Sequence, residues 1–143
     1  MTASHVLVPL DGSPLADEAL ADALALFDCR VTVLNVVTPV DAGMIEGGVL
    51  EAGEERQESA RERAGRVVER ARRAAAESDR TVETAVETGD PAETILAYVD
   101  DHDIDHVVMG GHGGDRGDIR RRLLGTVATT VVGKAPVTVT VVR

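Results

Sequence analysis

Five short apolar runs of strand length recur along this chain, with helix-like segments between them. That alternation restricts the fold more than any other feature of the sequence. The runs cover residues 5–10, 30–37, 81–87, 105–109 and 137–142. Most are nearly continuous in valine, leucine and isoleucine, as expected of strands buried on both faces in a parallel sheet. The third alternates Val82, Thr84 and Val86, and the last alternates valine with threonine.

The intervening segments carry helix signals. Ser13 stands as an N-cap with Pro14 at the first helical position, and Asp17 and Glu18 follow in the first turn, where the helix dipole favours acids. Leu15, Ala16, Ala19, Leu20, Ala23 and Leu24 then share one face. Residues 38–53, with glycines at 43, 47, 48 and 53, predict a long connection without regular structure. Residues 54–78 predict a charged amphipathic helix, apolar along Ala60, Ala64, Val67, Val68, Ala71 and Ala75, with Glu62/Arg66 and Glu69/Arg73 as pairs on a solvated face. Asp90, Pro91 and Glu93 form a capping-box start for a helix over 91–101, with Ile95, Leu96 and Val99 inward. A last helix over 126–132 is expected to stop at Gly133.

The order β-α-β-α-β-α-β-α-β predicts an α/β fold in one domain over 1–143: a single doubly wound five-stranded parallel sheet with helices on both faces. Such a sheet has a crevice at the strand C-termini, where Asp11 and Gly110 would face each other. The final strand, 137–142, would lie at an edge.

Composition removes several classes of function. With one Phe, one Tyr and no Trp, the core must be aliphatic, and stacking platforms for single-stranded nucleic acid are missing. A net charge of −10 opposes binding to nucleic acid or an anionic membrane. Of the 15 basic residues only Lys134 is a lysine; an acidic, lysine-poor surface fits adaptation to a high-salt cytoplasm and codon bias of a GC-rich genome equally well. Cys29 is the single cysteine and is read as a packed thiol, with no disulfide or cysteine metal cluster. The first residues lack a basic leader and no stretch reaches membrane-span length, so the expectation is a soluble, cytoplasmic protein.

One segment looks built for a ligand. Met109-Gly110-Gly111-His112-Gly113-Gly114 directly follows the fourth run, and Leu124-Gly125-Thr126-Val127 opens the last helix. Glycines let backbone N–H groups crowd an anion, and a helix N-terminus adds positive potential. The Thr126 hydroxyl is read as an N-cap able to turn to a phosphate oxygen. Arg120, Arg121 and Arg122 are as readily a solvated face as phosphate ligands. Asp11 is equally an ordinary turn residue before Gly12-Ser13-Pro14. His112 could approach a phosphate, but no carboxylate or nucleophile accompanies it. His5 reads as an exposed strand start, and His102 and His106 as surface residues at a helix–strand corner away from the crevice. There is no Gly-x4-Gly-Lys-(Ser/Thr) loop and no receiver-type aspartate after the third strand.

Pro9-Leu10-Asp11-Gly12-Ser13 after the first strand, with Gly110-x-His112-Gly113 and Leu124-Gly125-Thr126 after the fourth, resembles the universal stress protein family over essentially the whole chain. ATP-binding members carry Gly-x2-Gly-x9-Gly-(Ser/Thr). Here residues 114–124 make the second interval two residues longer, an insertion placed around residues 115–118. The resemblance implies an adenine nucleotide alpha-hydrolase-like fold that binds ATP, possibly with Mg²⁺, in stress response or signalling, with slow ATP hydrolysis at most. It also implies a homodimer through 137–142. By position, Pro9, Leu10 and Asp11 would lie beside adenine or ribose, and Val36 would bond adenine through its backbone. Met109, Gly110 and Gly113 would line ribose and phosphates, and Gly125, Thr126 and Val127 would meet phosphate. A nucleotide-free dimeric interaction module of the same fold is the alternative.

Overall fold

The computed structural model describes residues 2–39, 50–112 and 124–143, with 50–57 described by their helical backbone alone. In chain order the elements are β1 (His5–Pro9), α1 (Pro14–Leu26), β2 (Arg30–Val37), α2 (Leu50–Glu77), β3 (Glu83–Thr88), α3 (Pro91–Asp101), β4 (His106–Gly110), α4 (Thr126–Lys134) and β5 (Thr138–Val142). The five strands form one all-parallel sheet in the order β3-β2-β1-β4-β5. This is the predicted doubly wound α/β architecture, with β5 at an edge.

Successive strand residues point to opposite faces, and the core divides accordingly. Val6, Val8, Val31, Val33 and Val108 pack with Ala19, Leu20 and Ala23 of α1 and Ala71 and Ala75 of α2. Leu7, Leu34, Val107 and Met109 pack with Ile95 and Val99 of α3 and Ala128 and Val131 of α4. No helix among the described residues is long and apolar enough to cross a membrane.

The helix starts form as their local chemistry dictates. Ser13 Oγ accepts from the Ala16 N–H at 3.3 Å, and Asp90 Oδ2 accepts from the Glu93 N–H at 3.0 Å, each followed by proline. Boundaries differ elsewhere. α2 begins at Leu50 rather than at 54, because Leu50-Glu51-Ala52 are good helix formers and a 28-residue helix absorbs Gly53. The rest of the expected connection, 40–49, lies outside the described residues. α4 runs through Gly133 to Lys134, and the turn leading into Pro136 ends it instead. β3 starts at Glu83, with Val82 buried just before it and Val86 48% exposed on this outer strand.

Pairing of β1 is unequal on its two sides. With β2 it runs from His5↔Arg30 through Pro9↔Leu34, whereas with β4 it covers Val6↔His106 and Leu7↔Val107. Leu10 donates its N–H to the Leu34 carbonyl, so by alternation Pro9 faces β4, and proline has no N–H to give. The ladder stops there. Beyond it the ends of β1 and β4 border a crevice.

Candidate functional site

That crevice is a cleft of about 260 Å³. The end of β1 contributes Pro9, Leu10 and Asp11; β2 contributes Leu34 and Val36; β4 contributes Met109 and Gly110, followed by His112. Ser13 and Ala16 of the α1 start close one side and Pro91 and Ile95 of α3 another, while Gly125, Thr126, Val127 and Ala128 bring the start of α4 to the rim. The walls are therefore largely aliphatic, with Asp11 and His112 as the titratable groups among the described residues. Among the described residues no group of His, Cys, Asp or Glu is arranged to hold a metal ion.

The structure thus gathers Pro9, Leu10, Asp11, Val36, Met109, Gly110, Gly125, Thr126 and Val127 in one lining. Gly113, the 115–118 insertion and Arg120–Arg122 lie outside the described residues. Ser13, Ala16, Leu34, Pro91, Ile95 and Ala128 also line the cleft and were not expected. Ser13 and Pro91 were legible only as helix starts. Two starts converging on one crevice is a tertiary fact.

Asp11 holds the β1–α1 turn. Its Oδ1 accepts from the Ser13 N–H at 2.9 Å, while Gly12 between them takes φ +85°, a conformation glycine tolerates best. Asn35, buried on β2, donates from Nδ2 to the Leu10 carbonyl at 2.8 Å and fixes the chain just before Asp11.

The reading of Thr126 as an N-cap needs correction. Thr126 is the first helical residue, not the N-cap; that position is Gly125, which has no side chain to give, so the first-turn N–H groups of α4 lack a side-chain cap. The glycines also serve the protein's own backbone. A Cβ on Gly110 would stand 3.2 Å from Ala16 N and Leu15 C of α1, and one on Gly125 would stand 3.3 Å from His112 Cα. Gly125 further donates its N–H to the Gly111 carbonyl at 2.6 Å, and Gly111 donates to the Val142 carbonyl at 2.7 Å. The glycine segment is clamped between α1, α4 and β5.

Among the described residues, groups with shifted proton affinity lie at the opposite end of the sheet. His5 is buried, not exposed as expected: its Nδ1 meets the His102 carbonyl at 3.1 Å and its Nε2 meets Thr32 Oγ1 at 2.7 Å. Burial, and then the Arg30 charge, holds its proton affinity below the ordinary histidine value. Burial alone would raise Asp105, but hydrogen bonds from the Ser4 hydroxyl and N–H and from the His5 N–H bring it below the usual carboxylate range. His106 packs on Phe27 with ring centroids 4.7 Å apart and bonds Thr140 Oγ1 through Nε2 at 2.8 Å, and burial lowers its proton affinity. His102 stacks on Tyr98 at 3.7 Å. These histidines tie strands and helices together, away from the cleft.

The family model of the universal stress protein family matches residues 2–143. This chain belongs to the universal stress protein family. Among solved structures, the universal stress protein UspA from Lactobacillus plantarum is 26% identical with a TM-score of 0.85, the match covering 100% of this chain and 99% of that one. A universal stress protein family protein from Arabidopsis thaliana with AMP bound is 19% identical with a TM-score of 0.70, covering 97% and 90%. A universal stress protein in complex with cAMP is 21% identical with a TM-score of 0.69, covering 100% and 99%. At those identities the last two likenesses speak for the fold. Among curated proteins none matches the chain.

Proposed function

We propose that this universal stress protein binds an adenine nucleotide in the cleft between β1, β4 and α4, and acts in stress response or signalling in the cytoplasm. The observation that carries this reading is the convergence of two chemistries in one cleft. Aliphatic walls from Leu34, Val36, Ile95 and Met109 suit the faces of a flat base. At the rim, the α4 N-terminus, capped by Gly125 without a side chain, offers first-turn N–H groups to an anion. Related folds carrying AMP and cAMP add support. ATP with Mg²⁺ is the proposed physiological form, with Asp11 toward the ribose or base.

Calorimetry and thermal shift with ATP and AMP, with and without Mg²⁺, test the reading. Saturable heat and a raised melting temperature are expected. No heat and no shift at millimolar nucleotide would leave the interaction-module alternative in its place.

We also propose a homodimer through β5. Among the described residues no strand lies beyond its outer side, and a free parallel edge favours pairing with a second copy.

A further inference from the structure

Both ring nitrogens of His112 are shielded from solvent, and neither has a hydrogen-bond partner among the described residues. Buried polar atoms are nearly always satisfied, and a lone one destabilises the fold unless something else completes it. The other histidines sharpen the contrast. His5 has partners on both ring nitrogens, His102 bonds the Tyr98 carbonyl, and His106 bonds Thr140. Among the described residues His112 alone is left with buried ring nitrogens that have no partner, and it is the one histidine that lines the cleft.

Its position narrows the possible partner. His112 follows Gly110 and Gly111, and its backbone packs against Gly125, the N-cap of α4. The imidazole is therefore anchored next to the helix start whose first N–H groups lack a side-chain cap. A neutral imidazole has one N–H donor, and beside a helix N-terminus the complementary ligand atom is an anionic oxygen.

We propose that His112 donates a ring N–H to an anionic phosphate oxygen of the bound nucleotide, and so sets the preference of the cleft for phosphorylated over unphosphorylated adenosine ligands. The inference rests on the nucleotide reading above. It requires no bond making or breaking; His112 acts as a specificity determinant for binding.

The test compares AMP with adenosine by calorimetry on the full chain, for the unaltered protein, His112→Ala and His112→Asn. The unaltered protein should bind AMP about tenfold or more tightly than adenosine, as expected of one charge-assisted hydrogen bond. His112→Ala should lose most of that ratio through weaker AMP binding, with adenosine affinity unchanged. His112→Asn, which keeps an N–H donor, should recover part of it. The melting temperature of ligand-free His112→Ala should be unchanged or higher, since an unsatisfied buried group has been removed. A ratio that survives in His112→Ala, or an equal loss for both ligands with a lowered melting temperature, would overturn the proposal and leave nucleotide binding standing. An unaltered protein that binds AMP and adenosine equally would do the same. One that binds neither would overturn the nucleotide reading and this inference together.

Discussion

The side-chain amide of Asn35 donates a 2.8 Å hydrogen bond to the carbonyl oxygen of Leu10, holding the end of β1 to β2 one residue before Asp11. The bond is buried, so its loss strands a carbonyl where water does not reach. Asn35→Ala is expected to destabilise the fold by about 1–3 kcal/mol in urea unfolding. Asn35→Asp should be worse at pH 7, because a carboxylate offers only acceptors to a carbonyl, and should partly recover as the pH falls and it protonates. Nucleotide affinity should weaken in both.

Gly110 is expected to tolerate no side chain. The Cβ of Gly110→Ala would sit 3.2 Å from two backbone atoms of α1, which cannot rotate aside as a side-chain tip could. A loss of about 1–3 kcal/mol in unfolding free energy is expected. Gly133→Ala, with open space at its Cβ position in the last turn of α4, should leave stability unchanged or raise it.

Arg80 ends α1 from a distance. Its Nη1 donates to the carbonyls of Leu24 and Phe27, both at 2.8 Å, and its Nη2 donates to that of Cys29 at 3.0 Å. The last turn of α1 contains no basic residue of its own, so Arg80 supplies the positive charge that the helix C-terminus favours. Arg80→Ala should cost about 2–3 kcal/mol in chemical unfolding. Arg80→Lys should restore less than half, since an ammonium cannot span three carbonyls with a planar fork.

Much of this architecture is legible in the sequence because it is local. Ser13-Pro14 and Asp90-Pro91 carry their helix starts within a few residues, and the valine runs mark the strands. The crevice follows from strand order alone, which is why Pro9, Asp11, Val36, Gly110 and Thr126 come together. What escapes is long-range. Nothing near His5 in sequence announces Thr32 or the His102 carbonyl, and nothing near Arg80 announces the carbonyls of Leu24, Phe27 and Cys29. Thr126 misleads for the opposite reason: threonine is a good cap in isolation, but the Gly125–Gly111 hydrogen bond fixes where the helix starts.

The histidines predict a pH response. For His5 and His106 the folded-state affinity lies below the ordinary value of 6.5, with burial as the leading cause in both. The unfolded chain therefore binds protons that the folded chain refuses. Stability is fully present above about pH 6.5 and declines as the pH falls below it, before carboxylates such as Asp105 add their own loss in more acidic solution. Urea midpoints measured from pH 7.5 to 5 should show this slope, and His5→Gln should flatten it. A midpoint independent of pH across that window would refute the assignment.

The proposed dimer has its own perturbation. Val142 turns its carbonyl to Gly111, so alternation turns the backbone groups of Val139 and Val141 to the open edge of β5. Val139→Pro removes an outward N–H at a place where an edge strand accepts proline. Light scattering should report a dimer for the unaltered protein and a monomer for the variant, with circular dichroism unchanged. A monomer in both would dismiss the β5 interface.

The short ladder between β1 and β4 explains why a fold this tightly packed has room for a guest. The cleft is an unfinished seam: two strands stop exchanging hydrogen bonds where Pro9 has none to offer. No core side chain had to shrink to make the opening, and the aliphatic layers on both faces of the sheet close beneath it. Variation at an exposed rim position such as Thr126 can therefore retune what the seam holds without reaching the groups that keep the protein folded.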